Sequence, residues 1–549
     1  MALSLLPIGG LGEIGRNCLL IEQGQHGDAL LVDCGVQFPG PDVHGVDLIL
    51  PDFAPLLARR DRLRGLLVTH GHEDHLGAVP YLLRDLSIPV YASKLTLALL
   101  KRKLDELGLT GDLRELQPRR EVRIGGFVVE PLRVTHSIPD SLAFAITSQE
   151  GTLLHTGDFK IDHAPLDGEV TDLTRFAELG HRGILCMLSD STNAGREGSC
   201  PGELTVGPKL RELMQDAPGR VVVALFASNL HRLQQILSIC FDLGRRVTLN
   251  GLSLEKNVEL ATALQRLSLP PGIFVSHEQA SQLKPREVCI VSTGAQGEPR
   301  SGLMRLAHGT HGSLHLDPGD RVVFSASLIP GNEVAVHSLV NQLARLHVDV
   351  FQEPDHAVHV SGHAYRNDQR LLLRLAQPRA FIAIHGEANH LAHHRKLAIE
   401  CGVAPERCLE VYDGDWVEVT RDGARITAHE ELQSSFLDRW GGTDVPDEVV
   451  RDRRSLANAG LITAIVQLDR ASGALVREVE LVTRGFAVAD STRFHAEALR
   501  ELNAELEATP AALKLDLPAV EEMVVRVLRR VVKRTLEKRP VILPVVLRL

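Results

Sequence analysis

Short apolar runs recur along the first 160 residues and again near residue 380, each ending abruptly in polar residues. Gly65-Leu66-Leu67-Val68-Thr69 reads as a buried strand, covered on both faces. Val128 to Thr135, Gly151 to Gly157 and Ala380 to Ile384 have the same character, and Met1 to Ile8 reads as an opening strand. Between residues 204 and 352 strands alternate with helices. Arg220 to Phe226 is a strand, Ser228 or Asn229 caps a helix running to about Leu243, and Gly244 ends it. Arg246 to Leu249, Val288 to Ser292 and Arg321 to Ser325 follow as strands, an order that predicts a parallel α/β sheet. Residues 429 to 455 are polar and turn-rich and read as a linker. Beyond them Ala459 to Leu468 and Leu475 to Val482 read as strands, Ser491 to Leu506 as a helix, Val520 to Leu536 as an amphipathic basic helix, and Pro540 to Leu547 as a last strand.

The residues that end these runs carry the chemistry. His70-Gly71-His72-Glu73-Asp74-His75 packs three imidazoles and two carboxylates onto the loop after one buried strand. His70 and His72 face the same way in an extended loop, and Asp74 and His75 can turn toward a neighbouring point. Imidazole and carboxylate suit Zn²⁺ or Mn²⁺. His136, Asp158 and His385 end or follow other strands. A lone His at a strand end is usually structural. Together with the first cluster, however, these residues complete two sites: His70, His72 and His136 for one ion, and Asp74, His75 and His385 for the other. Asp158 would bridge the two, supplying negative charge between dications. Six of the seven ligands precede residue 160 and the seventh is at 385, so a domain is inserted between them. The expected layout is 1–203 and 353–428 for a sheet sandwich covered by helices, 204–352 for the insertion, 429–455 for the linker and 456–549 for a small C-terminal α/β domain.

Composition narrows the class. With 549 residues, 44% hydrophobic, and a mean hydropathy of +0.00, the chain is an ordinary soluble globular protein. Aromatic residues are only 4%, which leaves few platforms for stacking bases, and the net charge of −10 demands a local positive surface for any nucleic-acid substrate. Eight cysteines without a CxxC pair read as free thiols of a reducing compartment, here the cytoplasm. No run approaches the ~20 apolar residues of a membrane span, and no signal peptide is expected.

His70 to His75 matches the HxHxDH signature of metallo-β-lactamase-fold hydrolases, and Asp33 in Leu31-Val32-Asp33-Cys34-Gly35 matches their first-motif aspartate. Asp190, His363 and His385 resemble motifs A, B and C of the β-CASP nucleases of that fold. Pro7 to Asn17 and Phe226-Ala227-Ser228-Asn229 closely resemble the bacterial ribonuclease J family, and the resemblance spans the chain. It implies an αββα sandwich with an inserted β-CASP domain. It also implies a two-Zn²⁺ ribonuclease (Mn²⁺ or Mg²⁺ substituting) with 5′-to-3′ exonuclease and endonuclease activity in RNA maturation, rRNA processing and mRNA decay.

The expected catalytic groups are Asp74, His363 and Asp190, and the resemblance puts RNA on His359, Val360, Ser361, Gly362 and His363 and on Ser228 and Asn229. Single-stranded RNA bearing a 5′-monophosphate, a second or further copies of the chain, and RNA-degradation or ribosomal proteins are the expected partners. Asp190 orders His363 or another site His, or caps a turn. Arg232 adds charge or sits on a solvated helix face. The basic helix near residue 530 covers a small core, self-associates or contacts RNA. Asp47 and Asp444 are candidates for an additional structural or interface Mn²⁺ or Ca²⁺. A DNA-directed β-CASP nuclease, a small-ester or thioester hydrolase and an inactive RNA-binding scaffold are the competing functions. The inserted domain argues against the hydrolase, and the intact ligand set against the scaffold.

Overall fold

The computed structural model describes residues 2–24, 26–40, 43–329, 331–438, 443–485, 491–535 and 539–549. Two mixed sheets share the largest hydrophobic core. The first has eight strands, in the order Gly423–His429, Asp415–Thr420, Leu3–Gly9, Cys18–Gln23, Ala29–Val32, Leu63–Leu67, Val90–Ala92 and Leu113–Glu115. The second has seven, in the order Cys408–Leu409, Ala380–Ile384, Ile184–Asp190, Thr152–His155, Leu142–Thr147, Phe127–Arg133 and Val122–Ile124. Phe127, Phe144, Leu153 and Phe381 from one sheet bury against the same core as Leu5, Ile21, Leu30 and Leu67 from the other.

Strand direction explains where function collects. Ala29–Val32 and Leu63–Leu67 are parallel, as are Thr152–His155, Ile184–Asp190 and Ala380–Ile384. Phe127–Arg133 and Thr152–His155 are both antiparallel to Leu142–Thr147, so these two also run the same way. The C-terminal ends of these strands deliver Asp33, His70, His136, Asp158, Asp190 and His385.

Residues between the two parts of the sandwich form a five-stranded, wholly parallel sheet. Its order is Arg246–Asn250, Val288–Ser292, Val221–Ala224, Arg321–Phe324 and Asp349–Phe351. The order reverses around Val221–Ala224, the place where open α/β sheets hold ligands. Helix Leu230–Asp242 follows that strand, with Asn229 as its cap, as the sequence led one to expect.

A separate compact unit comprises Pro39–Leu48 and Ser435–Leu549. Leu461–Leu468 is its central strand, antiparallel to Glu480–Arg484 and parallel to Val541–Arg548. Its inward face packs on helices Ser491–Ala508 and Leu517–Thr535. The sequence misplaced some elements here. The stretch read as linker contains strands Ser435–Asp438 and Thr443–Val445 and the start of helix Asp447–Ala459. Ala459 ends that helix rather than opening a strand, and the next strand starts at Glu480, not Leu475. Leu536 lies outside the described residues. Arg526, Arg530 and Arg534 pair with Glu505, Glu501 and Glu497 of the neighbouring helix, so these arginines are neutralised within the unit.

Candidate metal centre and substrate loops

The strand Leu63–Leu67 runs into His70, and His72, extended, starts the short helix Glu73–Leu76. That turn brings Asp74 and His75 round to a second point. His70 Nε2 lies 3.0 Å and His136 Nε2 3.2 Å from His72 Nδ1, so three imidazole nitrogens converge with no carboxylate in the trio. Asp74, His75, Asp158 and His385 form the neighbouring cluster. Asp158 Oδ2 is 3.2 Å from His75 Nε2, and 3.8 and 3.9 Å from the Nε2 atoms of His70 and His136. One carboxylate oxygen therefore stands between the two clusters. Asp158 Oδ1 accepts from His385 Nδ1 at 2.6 Å. His385 Nε2 is buried and faces Asp74 Oδ2 at 3.4 Å. Ring nitrogens and carboxylate oxygens converging in two neighbouring groups are a donor set that fits divalent cations.

A surrounding layer orients these rings. His75 Nδ1 donates to Asp33 Oδ2 at 2.8 Å, while Asp33 also accepts from Thr69 N and Thr69 Oγ1 at 2.7 and 2.9 Å. His136 Nδ1 donates to Gly362 O at 2.7 Å, which turns Nε2 inward. A Cβ on Gly362 would stand 2.7 Å from His136 Cε1, so the close approach needs glycine. Asp33 and His385 both hold left-handed backbone, at φ 60 and 53, a strained choice for non-glycine residues that clusters at functional sites.

His363 Nδ1 donates to Asp190 Oδ2 at 2.8 Å and lies 3.9 Å from Asp158 Oδ2. Asp190 also accepts from Thr192 N and Thr192 Oγ1 at 3.0 and 2.8 Å. It thus both orders His363 and caps a turn, the two roles the sequence left open. Ser361 Oγ accepts from Asn193 Nδ2 at 2.8 Å and from His363 N at 3.1 Å, so Asn193, unremarked in the sequence, fixes this loop. The Val360 side chain belongs to the inserted domain's core, which leaves only its backbone for a substrate.

Arg232 corrects its sequence reading. It is fully buried, and Nε donates to Glu203 Oε1 at 2.6 Å and Nη1 to Val358 O at 2.9 Å. Its backbone N–H donates to Asn229 Oδ1 at 3.1 Å. It is therefore an internal tie between the Ser228-Asn229 segment and the chain entering His359, and neither a solvated face nor free charge. Lys160, also missed, is buried at 3.6 Å from Asp162. The two outlying aspartates approach through backbone: Asp47 N–H donates to Leu437 O at 2.9 Å, and Leu437 pairs with Asp444. The Asp444 side chain lies outside the described residues.

The two clusters differ in charge. Burial draws His70, His72 and His136 down, His72 to about 4, so this trio is neutral at pH 7. Burial also lowers His75 and His385, but Asp158 overrides it, raising His75 well above the ordinary value and His385 to about 10. In turn burial pushes Asp74 and Asp158 up, and the facing imidazoliums pull both well below the ordinary carboxylate range. In metal-free protein the raised His385 contributes stability that is complete below its ordinary value of 6.5 and is lost as pH rises through about 10. A metal ion bound at these rings would displace those protons. Adding Zn²⁺ to metal-free protein at neutral pH is expected to release about two protons per chain, mainly from His75 and His385. Calorimetry in buffers of different ionisation enthalpy counts them; release unchanged in His385→Asn protein would contradict the assignment.

A His/Asp centre at the C-terminal edge of two mixed sheets, completed by a loop that follows an inserted parallel α/β sheet, defines a metallo-β-lactamase-fold hydrolase of the β-CASP type. Four family descriptions match in chain order. They are the metallo-beta-lactamase superfamily over residues 11–184 and the ribonuclease J beta-CASP domain over 218–343. The Zn-dependent metallo-hydrolase RNA specificity domain follows over 355–405, and the ribonuclease J C-terminal domain over 448–549. Ribonuclease J of Helicobacter pylori strain J99 is 36% identical over 99% of this chain and 79% of its own length. Ribonuclease J 1 of Streptococcus pyogenes is 36% identical, and ribonuclease J of Mycobacterium tuberculosis 39%, each over 99% of this chain and 97% of its own length. The chain belongs to the ribonuclease J family of metal-dependent ribonucleases. An Enterococcus faecalis protein of unknown function shares the fold, with a TM-score of 0.54 and 17% identity over 80% of this chain and all of the other. No helix among the described residues is long and apolar enough to cross a membrane.

Proposed function

We propose that the chain hydrolyses single-stranded RNA from a 5′-monophosphate end and also internally, in cytoplasmic RNA maturation and mRNA decay. The carrying observation is the Asp158 carboxylate, which stands between two imidazole-rich clusters within 3.9 Å of His363 Nδ1. We assign two Zn²⁺ ions, with Mn²⁺ or Mg²⁺ as substitutes. His70, His72 and His136 hold one, Asp74, His75 and His385 the other, and Asp158 is shared. When bound, such a pair neutralises phosphodiester charge and lowers the pKa of water.

The chain's own residues do the rest. Asp74, whose side chain is 30% exposed beside its buried neighbours, accepts a proton contact from the attacking water. Burial lowers His363, but Asp190 more than offsets it and raises the ring above its ordinary value, which favours the protonated form. With Nδ1 committed to Asp190, Nε2 carries the proton offered to the scissile phosphate or the leaving oxygen.

Ser228, Asn229, His359, Ser361 and Gly362 line the pocket for the terminal phosphate, where short side chains and backbone N–H groups surround oxygens without bulk. A triphosphate is excluded by length and charge. Matched RNAs with 5′-monophosphate and 5′-triphosphate ends, beside a matched DNA, test this. The monophosphate RNA should be degraded stepwise, the triphosphate RNA should resist that mode while remaining open to internal cuts, and the DNA should resist both. Equal stepwise rates on the two RNAs would remove the pocket; equal cleavage of the DNA would make the chain a general nuclease.

We also assign self-association to the C-terminal unit. Leu543 and Leu547 lie on one face of the last strand, 49% and 42% exposed. A Leu543→Glu, Leu547→Glu variant should sediment as a smaller species, and an unchanged sedimentation coefficient would count against this face. A further Mn²⁺ or Ca²⁺ at Asp47 and Asp444, and partners among RNA-degradation or ribosomal proteins, complete the proposal.

A further inference from the structure

One helix, Lys94–Glu106, reaches toward both ends of the proposed reaction path. Lys103 Nζ donates to the two carboxylate oxygens of Glu73 at 2.6 and 2.8 Å, inside the His70–His75 loop. Its neighbour Arg102 points elsewhere, as consecutive helical residues must. Arg102 Nη1 donates to Asn257 Oδ1 at 2.8 Å. Asn257 sits on helix Leu252–Ala263 of the inserted region, and its Nδ2 donates to Ala227 O at 2.9 Å. Ala227 immediately precedes Ser228 and Asn229. Arg102, Lys103 and Asn257 are all half-buried, so these bonds are partly shielded from water. Asn257 uses both ends of its carboxamide, accepting from one side of the interface and donating to the other.

We propose that Arg102 and Asn257 are positioning residues that fix the spacing between the 5′-phosphate pocket and the metal centre, and thereby set the length of the product released from the RNA 5′ end. This rests on the 5′-end reading above. The strut is short: the Lys103 ammonium, one stretch of helix backbone, the Arg102 guanidinium and the Asn257 carboxamide join Glu73 to the Ala227 carbonyl. Without it, the segment carrying Ser228 and Asn229 keeps its helix cap and its share of the apolar core with Leu95 and Leu99, but loses its polar link to the helix that holds Glu73. A terminal phosphate then seats at variable distance from the reacting centre. Lys256 Nζ, 2.7 Å from Glu106 Oε1, joins the same two helices without touching Ala227 and separates general interface packing from the strut.

The test uses full-length, metal-loaded protein and RNA labelled on its 5′-monophosphate, with products resolved by length. The unmodified protein should release one discrete product. Asn257→Ala should give mixed lengths, with kcat for end-directed cleavage down by about 10- to 100-fold and KM changed less, the scale of a roughly 1 Å misplacement. Asn257→Asp keeps the acceptor for Arg102 but loses the donor to Ala227 O, so it should behave like Asn257→Ala. Arg102→Lys should restore much of what Arg102→Met loses, and Lys256→Ala should leave product length unchanged. Metal content and thermal unfolding are measured for each variant. A single product length and an unchanged kcat in both Asn257 variants would overturn the strut, as would mixed lengths in Lys256→Ala. If the unmodified protein releases no discrete 5′ product, the 5′-end reading itself fails and the strut falls with it.

Discussion

Asp158→Asn protein should lose both metal ions and fall in activity by more than about 10³-fold, beyond the cost of removing one transition-state donor. Asp158 Oδ2 is the atom nearest to both clusters, 3.2 Å from His75 Nε2 and 3.8 Å from His70 Nε2. Asparagine keeps the shape but removes the anion. Two dications would then face one another without that carboxylate between them, and His75 and His385 would lose the group that raises them most. His385→Ala should be milder in metal content, emptying mainly the cluster that contains Asp74 and His75. Elemental analysis of the two variants separates these outcomes. Full occupancy of both sites in Asp158→Asn would refute the shared carboxylate.

His363→Ala should slow single-turnover cleavage by about 10²–10³-fold while metal content stays unchanged. The ring is 20% exposed, and its Nδ1 is engaged by Asp190. Asp190→Asn should act through the same ring. It removes the charge that raises His363, so the pH above which activity declines should move down, because the imidazolium then deprotonates at lower pH. A near-normal single-turnover rate in His363→Ala would make the ring structural. An unmoved pH profile in Asp190→Asn would break the link between the two residues.

The candidate metal cluster was legible because His70, His136, Asp158 and His385 each follow an apolar strand, while His72, Asp74 and His75 lie beside His70 in sequence. His70, His136, Asp158 and His385 could be found one strand at a time, and their convergence follows from strands running in one direction. The inserted parallel sheet was legible for the same reason. Arg232 was not, since helix periodicity cannot reveal that Glu203, far away in sequence, accompanies it into the core. Thr69, Asn193 and Asn257 each make a pair of hydrogen bonds to residues distant in sequence, and such bonds leave no periodic trace. The stretch after residue 429 misled because short strands and a charged helix have the polar composition of a linker.

The most direct test of the two-ion centre is stepwise metal restoration. Protein stripped by a chelator is given Zn²⁺ in known equivalents, and cleavage of 5′-monophosphorylated RNA is followed at each step. Two sites sharing Asp158 predict negligible cleavage through the first equivalent and a rise to full rate with the second. Full-rate cleavage with one equivalent bound, or with none, would contradict the account.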